Sequence, residues 1–153
     1  MSSARARANH KLYLARLLIS SWRQALEQQA VPASVLAQAF DGAVQDHLIQ
    51  AYGWFLVEIT DPQATPDCPP RGCVELAPPA EGKVWPGEIR EFQQLEESGW
   101  IAQLLAAPDH LADVSRAGDN LAHQVGSTPE LLTQWAQQLE RLFERMSDSL
   151  EEY

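Results

Sequence analysis

The sequence predicts an all-α, four-helix-bundle-like fold with a long proline-rich crossover between the second and third helices. Apolar residues recur every three or four positions along several long segments, which is the spacing of amphipathic helices. Seven of the ten prolines lie between residues 60 and 87, where they exclude regular helix and separate two helical halves. A length of 153 residues suits one domain, 1–153.

The first two helices are predicted over 4–29 and 33–59, with Val31-Pro32 ending one and opening the next. The first helix carries one apolar stripe, which includes Ile19 and Trp22. The second carries a main stripe and a further apolar face in its later half. Two apolar faces require more than one neighbour, so the second helix is predicted to be central.

A candidate polar cluster follows from pairing these helices as an antiparallel hairpin. Residues whose numbers sum to about 63 then face each other, which places Arg5 beside Glu58 and Arg16 beside His47. Arg16, His47 and Glu58 could hold a small ligand or perform acid–base chemistry. They could equally form a satisfied polar cluster that fixes helix register. Nothing supplies a nucleophile or an oxyanion cradle, so no catalytic residue and no cofactor is predicted.

Residues 60–87 are expected to form an extended, partly disordered crossover without helix. Cys68 and Cys73 lie within it, and three alternatives stay open for them: free thiols, a regulatory disulfide, or half of a metal site. No second ligand pair exists for a metal, so none is predicted. Trp85 lies outside the helical stripes that hold the other four tryptophans. It either anchors the loop to the helices or contacts a partner.

The second half of the chain is predicted to hold two further helices. One covers 88–107 and is broken near residue 98, where Ser98 can cap the second segment. Residues 108–127 are weakly patterned and predicted to be irregular. The last helix, over 128–150, has the clearest start, because Ser127-Thr128-Pro129-Glu130 supplies a capping hydroxyl, a first-turn proline and an acid.

Charge is distributed unevenly along the chain. The formal net charge is −10, yet residues 1–30 carry +4 and residues 31–153 carry −14. The basic first helix could neutralise part of the acidic remainder within the fold, or the acidic surface could recruit a basic partner. Either way, a general nucleic-acid binder is excluded, because such binding depends on neutralising phosphates.

The sequence is expected to be that of a cytoplasmic protein. No apolar run approaches the 18 residues of a membrane span. Residues 1–23 have the composition of an organellar transit peptide, being amphipathic, arginine-bearing and free of acids. The same helical pattern continues without a break to about residue 29, however, and no secretory cleavage site follows it.

A spacing of seven residues between Arg116 and His123 formally fits the Arg…His signature of the helical ribonucleases known as HEPN. That signature usually has a polar residue directly after the arginine and lies at the start of a helix. Here Ala117 follows, and Gly118-Asp119-Asn120 interrupts the segment. A ribonuclease is therefore the least favoured of the functions considered.

Several short motifs together resemble an uncharacterised gammaproteobacterial helical family, domain-of-unknown-function family 6586. The motifs are Asn9, Lys11-Leu12, Ala15-Arg16-Leu17, Trp22-Arg23-Gln24, His47-Leu48, Glu58-Ile59, Trp100, Ala102-Gln103-Leu104-Leu105 and Trp135. The resemblance covers most of the helical chain but not residues 60–87. It implies a bacterial cytosolic helical protein, and it carries no known activity, ligand or site residue.

The function predicted from the sequence is that of a non-enzymatic protein that acts through contacts with a protein partner or as a homodimer. Its basis is the missing catalytic constellation, the acidic surface and Trp85 in a proline-rich loop. One alternative is a ligand or enzyme site at Arg16, His47 and Glu58. Another is an acidic mimic of nucleic acid, which requires the carboxylates of 88–97 and 140–152 to share one face. Neither nucleic acid nor a membrane is expected as a partner.

Overall fold

The computed structural model describes residues 3–64, 66–79, 82, 84–106 and 128–151. Within these ranges the secondary structure is helical and holds no strand, so the predicted all-α class is confirmed. The elements are α1 (Ala4–Gln28), α2 (Ala33–Thr60), a turn of 3-10 helix (Cys73–Glu75), α3 (Gly87–Ser98), α4 (Trp100–Leu105) and α5 (Pro129–Glu151). None of the described helices is long and apolar enough to cross a membrane.

Helices α1 and α2 form an antiparallel hairpin, and each differs by one residue at its C-terminal end from the predicted range. Near the turn, the rings of Trp22 and Phe40 stack with their centroids 6.0 Å apart. Near the open end, the Arg7 guanidinium lies 4.7 Å from the centroid of the Trp54 ring. Both contacts fall close to the register that the sequence predicted.

Helix α2 occupies the centre of the described structure, as its two apolar faces predicted. It contacts α1, α4 and α5, and the seven residues 51–57 are buried one after another. A helix that only one neighbour covers would bury about every third or fourth residue instead. The unbroken run therefore reflects neighbours on several sides of the second half of α2.

An aromatic cluster joins α2 to α3 and α5. Phe55 of α2 stacks on Phe143 of α5 with ring centroids 4.0 Å apart. Phe92 of α3 meets the edge of Phe55 at 6.2 Å and lies 5.3 Å from the ring of Tyr52. Four buried rings fill this junction, and offset and edge contacts of this kind add to the free energy of burial.

The helix starts in the second half of the chain agree only in part with the sequence prediction. The hydroxyl of Thr128 accepts the backbone N–H of Leu131 at 3.2 Å and caps α5, as expected. Ser98, in contrast, does not cap α4. It is the last residue of α3, and its hydroxyl donates to the carbonyl oxygen of Gln94 at 3.4 Å. Gly99 stands between the two helices and offers no side-chain cap.

The proline-rich stretch contains a turn of helix, so the expectation of a crossover without helix is wrong at Cys73–Glu75. Residue Cys73 is buried in the core, and the turn packs against α3. The stretch predicted as irregular, 108–127, and the residues Arg116 and His123 within it lie outside the described part of the chain.

Candidate functional site

Arg16 does not face His47. Its guanidinium binds the carboxylate of Glu140 on α5, so that part of the predicted polar cluster is wrong. Arg23, two turns further along α1, donates to the hydroxyl of Thr133 on α5 at 3.0 Å. The hairpin register predicts which residues of the two helices lie at the same height along the helix axis. It does not predict which face of its helix each residue occupies. Arg16 and Arg23 share the face of α1 that is turned toward α5, not the face that α2 covers.

His47 lies half-buried on α2 beside a different set of charges. Burial lowers its pKa below the ordinary value, and the positive charges of Lys11 and His10 act in the same direction, while the carboxylate of Asp46 opposes them. Its Nδ1 atom is buried and has no hydrogen-bond partner within the described residues. The neutral imidazole is therefore the form that this position favours.

Glu58 does lie beside Arg5, as the hairpin register predicted, with Arg5 Nε 3.5 Å from Glu58 Oε1. The three candidate residues thus belong to separate contacts: Arg16 with α5, His47 with the middle of α1, and Glu58 with its beginning. The cavity beside Arg16, of about 210 Å³, is lined by residues of α1 and α5 and by neither His47 nor Glu58. This arrangement favours ion pairs that fix helix register over a shared pocket.

Tyr52, Cys73 and Glu96 form a second polar cluster, which sequence reasoning missed. The Tyr52 hydroxyl on α2 donates to Oε1 of Glu96 on α3. The same oxygen accepts the backbone N–H of Cys73 at 2.8 Å, and the Cys73 Sγ lies 3.8 Å from the Tyr52 hydroxyl oxygen. One carboxylate on α3 therefore binds both the central helix and the loop, which fixes the loop's position.

This cluster keeps its thiol and its phenol protonated. Burial raises the pKa of Cys73 to about 12, and the negative charge of Glu96 contributes to the rise. Burial and the hydrogen bond to Glu96 likewise raise the pKa of the Tyr52 hydroxyl. A thiol is nucleophilic only as the thiolate. Burial and the raised pKa therefore both disfavour a nucleophilic role for Cys73.

Gly53 allows the loop to approach the central helix closely. A Cβ atom at this position would lie 2.1 Å from the carbonyl oxygen of Pro70 and 3.0 Å from the Pro69 side chain. Any larger residue would have to displace the loop backbone. The glycine interrupts the apolar pattern of α2 without breaking the helix, and its spacing alone did not indicate a contact with residues so far along the chain.

The loop and the C-terminal end of α2 together form a cavity of about 880 Å³ that is open to solvent. We call it the Trp85 groove. Prolines supply much of its wall, and α2 and the loop supply the rest: Val57, Thr60, Asp61, Ala64, Pro66, Cys68, Pro69, Pro70, Glu75, Leu76, Ala77, Pro78, Pro79, Val84, Trp85 and Pro86. Proline and mainly apolar walls give a rigid concave surface of the size that binding sites have.

Trp85 takes part both in the anchoring of the loop and in the groove. Its ring is partly buried and packs against the hydrophobic core, which agrees with the anchor alternative. It also lines the groove, and its buried indole N–H has no hydrogen-bond partner within the described residues. A buried donor without an acceptor is costly to the folded state, and because the atom is buried, a ligand in the groove would contact the ring rather than this N–H.

The two cysteines are free thiols with different environments: Cys68 is exposed in the groove and Cys73 is buried. Of the alternatives that the sequence left open, free thiols match this state. In the described ranges no three histidine, cysteine, aspartate or glutamate side chains come together to hold a metal ion.

Arginines bind two of the carboxylates that an acidic mimic of nucleic acid would need. Glu91 of α3 is bound by Arg145 of α5, and Glu140 is bound by Arg16. The arginines thus partly neutralise these charges. Phosphate mimicry would instead require a row of exposed, unpaired negative charges.

Comparison with known proteins yields one family. The profile of a family described as a family of unknown function (DUF6586) matches residues 1–153. The match confirms the resemblance drawn from the helical motifs and extends it across residues 60–87. No curated protein and no solved structure matches the chain significantly.

Proposed function

Since the chain belongs to the DUF6586 family, whose function is unknown, we propose from its structure that it is a non-enzymatic cytoplasmic protein that acts by binding another protein at the Trp85 groove. The observation that carries the proposal is the groove itself. It is an open, mainly apolar surface of about 880 Å³, and the residues beneath it hold its walls in place.

Preorganisation supports binding at this surface. The Glu96 carboxylate ties the loop to α2 and α3, and Gly53 lets the loop pack directly on α2. Proline walls lose little conformational entropy when a partner binds. A surface that is already ordered retains more of its contact energy as affinity.

The chemistry of the groove favours binding over catalysis. The buried thiol of Cys73 is held protonated by its surroundings, and the described residues that line the groove include no histidine or lysine to act as a base for the exposed thiol of Cys68. A nucleophile needs a neighbouring base or a lowered pKa. Among the described residues the groove therefore supplies contacts but no cysteine–histidine pair.

The second candidate function, a small-ligand or enzyme site at Arg16, His47 and Glu58, has less support. The side chains belong to three separate contacts. One observation still favours some role for His47, namely its buried Nδ1 without a partner in the described ranges. If this site binds a ligand, the ligand would contact His47 without Arg16.

Affinity capture with matched variants tests the proposed function. The bait is the purified chain, and the groove variants are Trp85→Ala and Val84→Gln. Val84 lines the groove and is 86% exposed, whereas Val74 lies outside it in the same loop and is 96% exposed. Val74→Gln is therefore a control with the same chemistry and little risk to folding.

We expect one or more host proteins to bind the wild type and Val74→Gln, and to be depleted with both groove variants. Light scattering on the purified chain identifies a homodimer if the partner is a second copy. Equal recovery by all four baits would show that the groove is not the contact surface. Recovery of nothing above background by the wild type would contradict the proposed function.

A further inference from the structure

We propose that the Trp85 groove recognises an extended peptide segment that carries an apolar anchor beside an arginine or lysine. This inference rests on the proposed function and specifies the chemistry of the partner. Its basis is the combination of apolar walls, the Trp85 ring and two hydrogen-bonded carboxylates within one groove.

Asp61 and Glu75 give the groove its charge. Both line it, and none of its described lining residues is a lysine or an arginine. Glu75 Oε2 accepts the backbone N–H of Arg71 at 2.6 Å, and Asp61 Oδ1 accepts the N–H of Gln63 at 3.3 Å. These bonds orient the carboxylates and leave lone pairs for a guanidinium or ammonium group.

The nearby arginine in the loop is directed elsewhere. The Arg71 guanidinium donates to the carbonyl oxygen of Leu105 at the end of α4, at 3.0 Å. That contact satisfies a helix C-terminus, where a cation is favoured. It also leaves the charge of Glu75 to act on a ligand, so a basic side chain is attracted and an acidic one repelled.

Trp85 supplies an aromatic surface to the groove. Its ring can pack against an apolar side chain of a bound segment. Val57 and Leu76 offer apolar contact for one aliphatic or aromatic side chain. In an extended segment alternate side chains point the same way, so one can meet these apolar walls while the next on that face approaches a carboxylate.

A selection from displayed random peptides of about twelve residues tests the recognition rule without assuming a sequence. We expect enrichment of peptides that combine an aliphatic or aromatic residue with arginine or lysine. For a selected peptide made synthetically, Trp85→Ala should weaken binding by about tenfold or more, because a central tryptophan is a frequent hot spot. Trp85→Phe replaces the indole with a smaller aromatic ring and should weaken binding severalfold.

A matched pair at Ala77 isolates the charge. Ala77 lines the groove and is exposed, so neither Ala77→Lys nor Ala77→Glu should disturb the fold. The selected peptide should bind Ala77→Lys severalfold more weakly than the wild type and Ala77→Glu more tightly. Equal weakening by both would overturn the electrostatic part of the proposal, as would enrichment of acidic peptides.

Thiol modification shows where the peptide binds. Cys68 lies in the groove and Cys73 is buried, so one chain carries both the reporter and an internal reference. Bound peptide should slow modification of Cys68 at least severalfold, whereas unchanged modification at saturation would place the peptide elsewhere. If a host protein binds in a Trp85-dependent manner but no basic, apolar peptide is selected, this inference fails and the proposed function stands.

Discussion

Burial of the Cys73 thiol beside Glu96 makes the stability of the fold vary with pH in the alkaline range. Its pKa rises from the ordinary 9.0 to about 12 in the fold, so the unfolded chain loses this proton at a lower pH than the folded chain does. The contribution to stability is fully present below pH 9 and is lost as pH rises from 9 through about 12. The raised pKa of Tyr52 acts in the same direction from about pH 10 upward, because the same group ionises there in the unfolded chain.

We therefore expect the free energy of unfolding to fall above pH 9, with a slope of up to about 1.4 kcal/mol per pH unit while Cys73 alone contributes one proton, and a steeper slope above pH 10, where Tyr52 adds a second. Urea denaturation under reducing conditions, repeated at several pH values, measures the slope. The Cys73→Ala variant should be less stable at pH 7 and should show a shallower slope. A slope identical to that of the wild type would mean that Cys73 is not the group responsible.

At the level of single residues, the sequence predicted which residues of α1 and α2 lie at the same height along the hairpin. It did not predict which neighbouring helix each side chain faces. The expected neighbours Arg5 and Glu58 lie 3.5 Å apart, whereas Arg16 turns toward Glu140. The sequence held no comparable pattern for the bond between Tyr52 and Glu96. Those residues lie on different helices, and the intervening loop has no periodicity that would define how the helices pack.

The packing of the loop on α2 reverses the usual effect of replacing a helical glycine. In an exposed helix interior, glycine to alanine gains about 1 kcal/mol. At Gly53 the added Cβ would lie 2.1 Å from the Pro70 carbonyl oxygen, so the loop must move. We expect Gly53→Ala to lower the free energy of unfolding by about 1–3 kcal/mol.

Chemical denaturation compares Gly53→Ala with a control on another helix. Gly87 begins α3, and a Cβ there would meet nothing within 4 Å. Gly87→Ala should therefore change stability by less than about 0.5 kcal/mol. Gly53→Ala should in addition increase the reactivity of Cys73 in the folded state, because the displaced loop carries that thiol. A stabilised Gly53→Ala would show that the loop does not pack on α2 as described.

The contact between α1 and α5 invites a double-mutant cycle. Arg16 and Glu140 are each about 45% exposed, so solvent screens the pair and its contribution should stay below about 1 kcal/mol. Arg16→Glu and Glu140→Arg each place like charges together, and each should lower the free energy of unfolding. The double variant Arg16→Glu/Glu140→Arg should recover most of the loss, with a coupling energy of about 0.5–1 kcal/mol.

Additive losses in that cycle would show that the two side chains do not interact. A surface pair should also weaken with salt, so the coupling energy measured at about 0.5 M NaCl should be smaller than at low ionic strength. The double variant has the same net charge as the wild type, because the two substitutions change the charge by opposite amounts. The cycle therefore tests the α1–α5 contact itself.

Across the whole molecule, part of the charge imbalance of the sequence is taken up by ion pairs between helices. The rest remains as net negative charge. Cations of α1 bind acids on other helices, as in Arg5 with Glu58 and Arg16 with Glu140. This agrees with the intramolecular alternative for the basic first helix. The net charge of −10 nevertheless remains, and it produces a long-range repulsion that the folded state concentrates in a smaller volume.

Salt should therefore stabilise the protein. Ions screen repulsion between charges that lie farther apart than about 10 Å, and they affect ion pairs in contact less strongly. We expect the free energy of unfolding at pH 7 to rise by about 1 kcal/mol between low ionic strength and about 0.3 M NaCl. Urea is the appropriate denaturant, because it is uncharged and leaves the ionic strength under control.

A variant with fewer acids shows whether net charge is the cause. Glu97→Gln, Glu144→Gln and Asp148→Asn together change the net charge from −10 to −7 and leave Glu58, Glu91 and Glu140 to their arginines. This variant should be more stable than the wild type at low salt and should gain less from added NaCl. If added salt lowered the stability of the wild type instead, the ion pairs would outweigh the repulsion, and the acidity would be balanced within the fold rather than held on the surface for a basic partner.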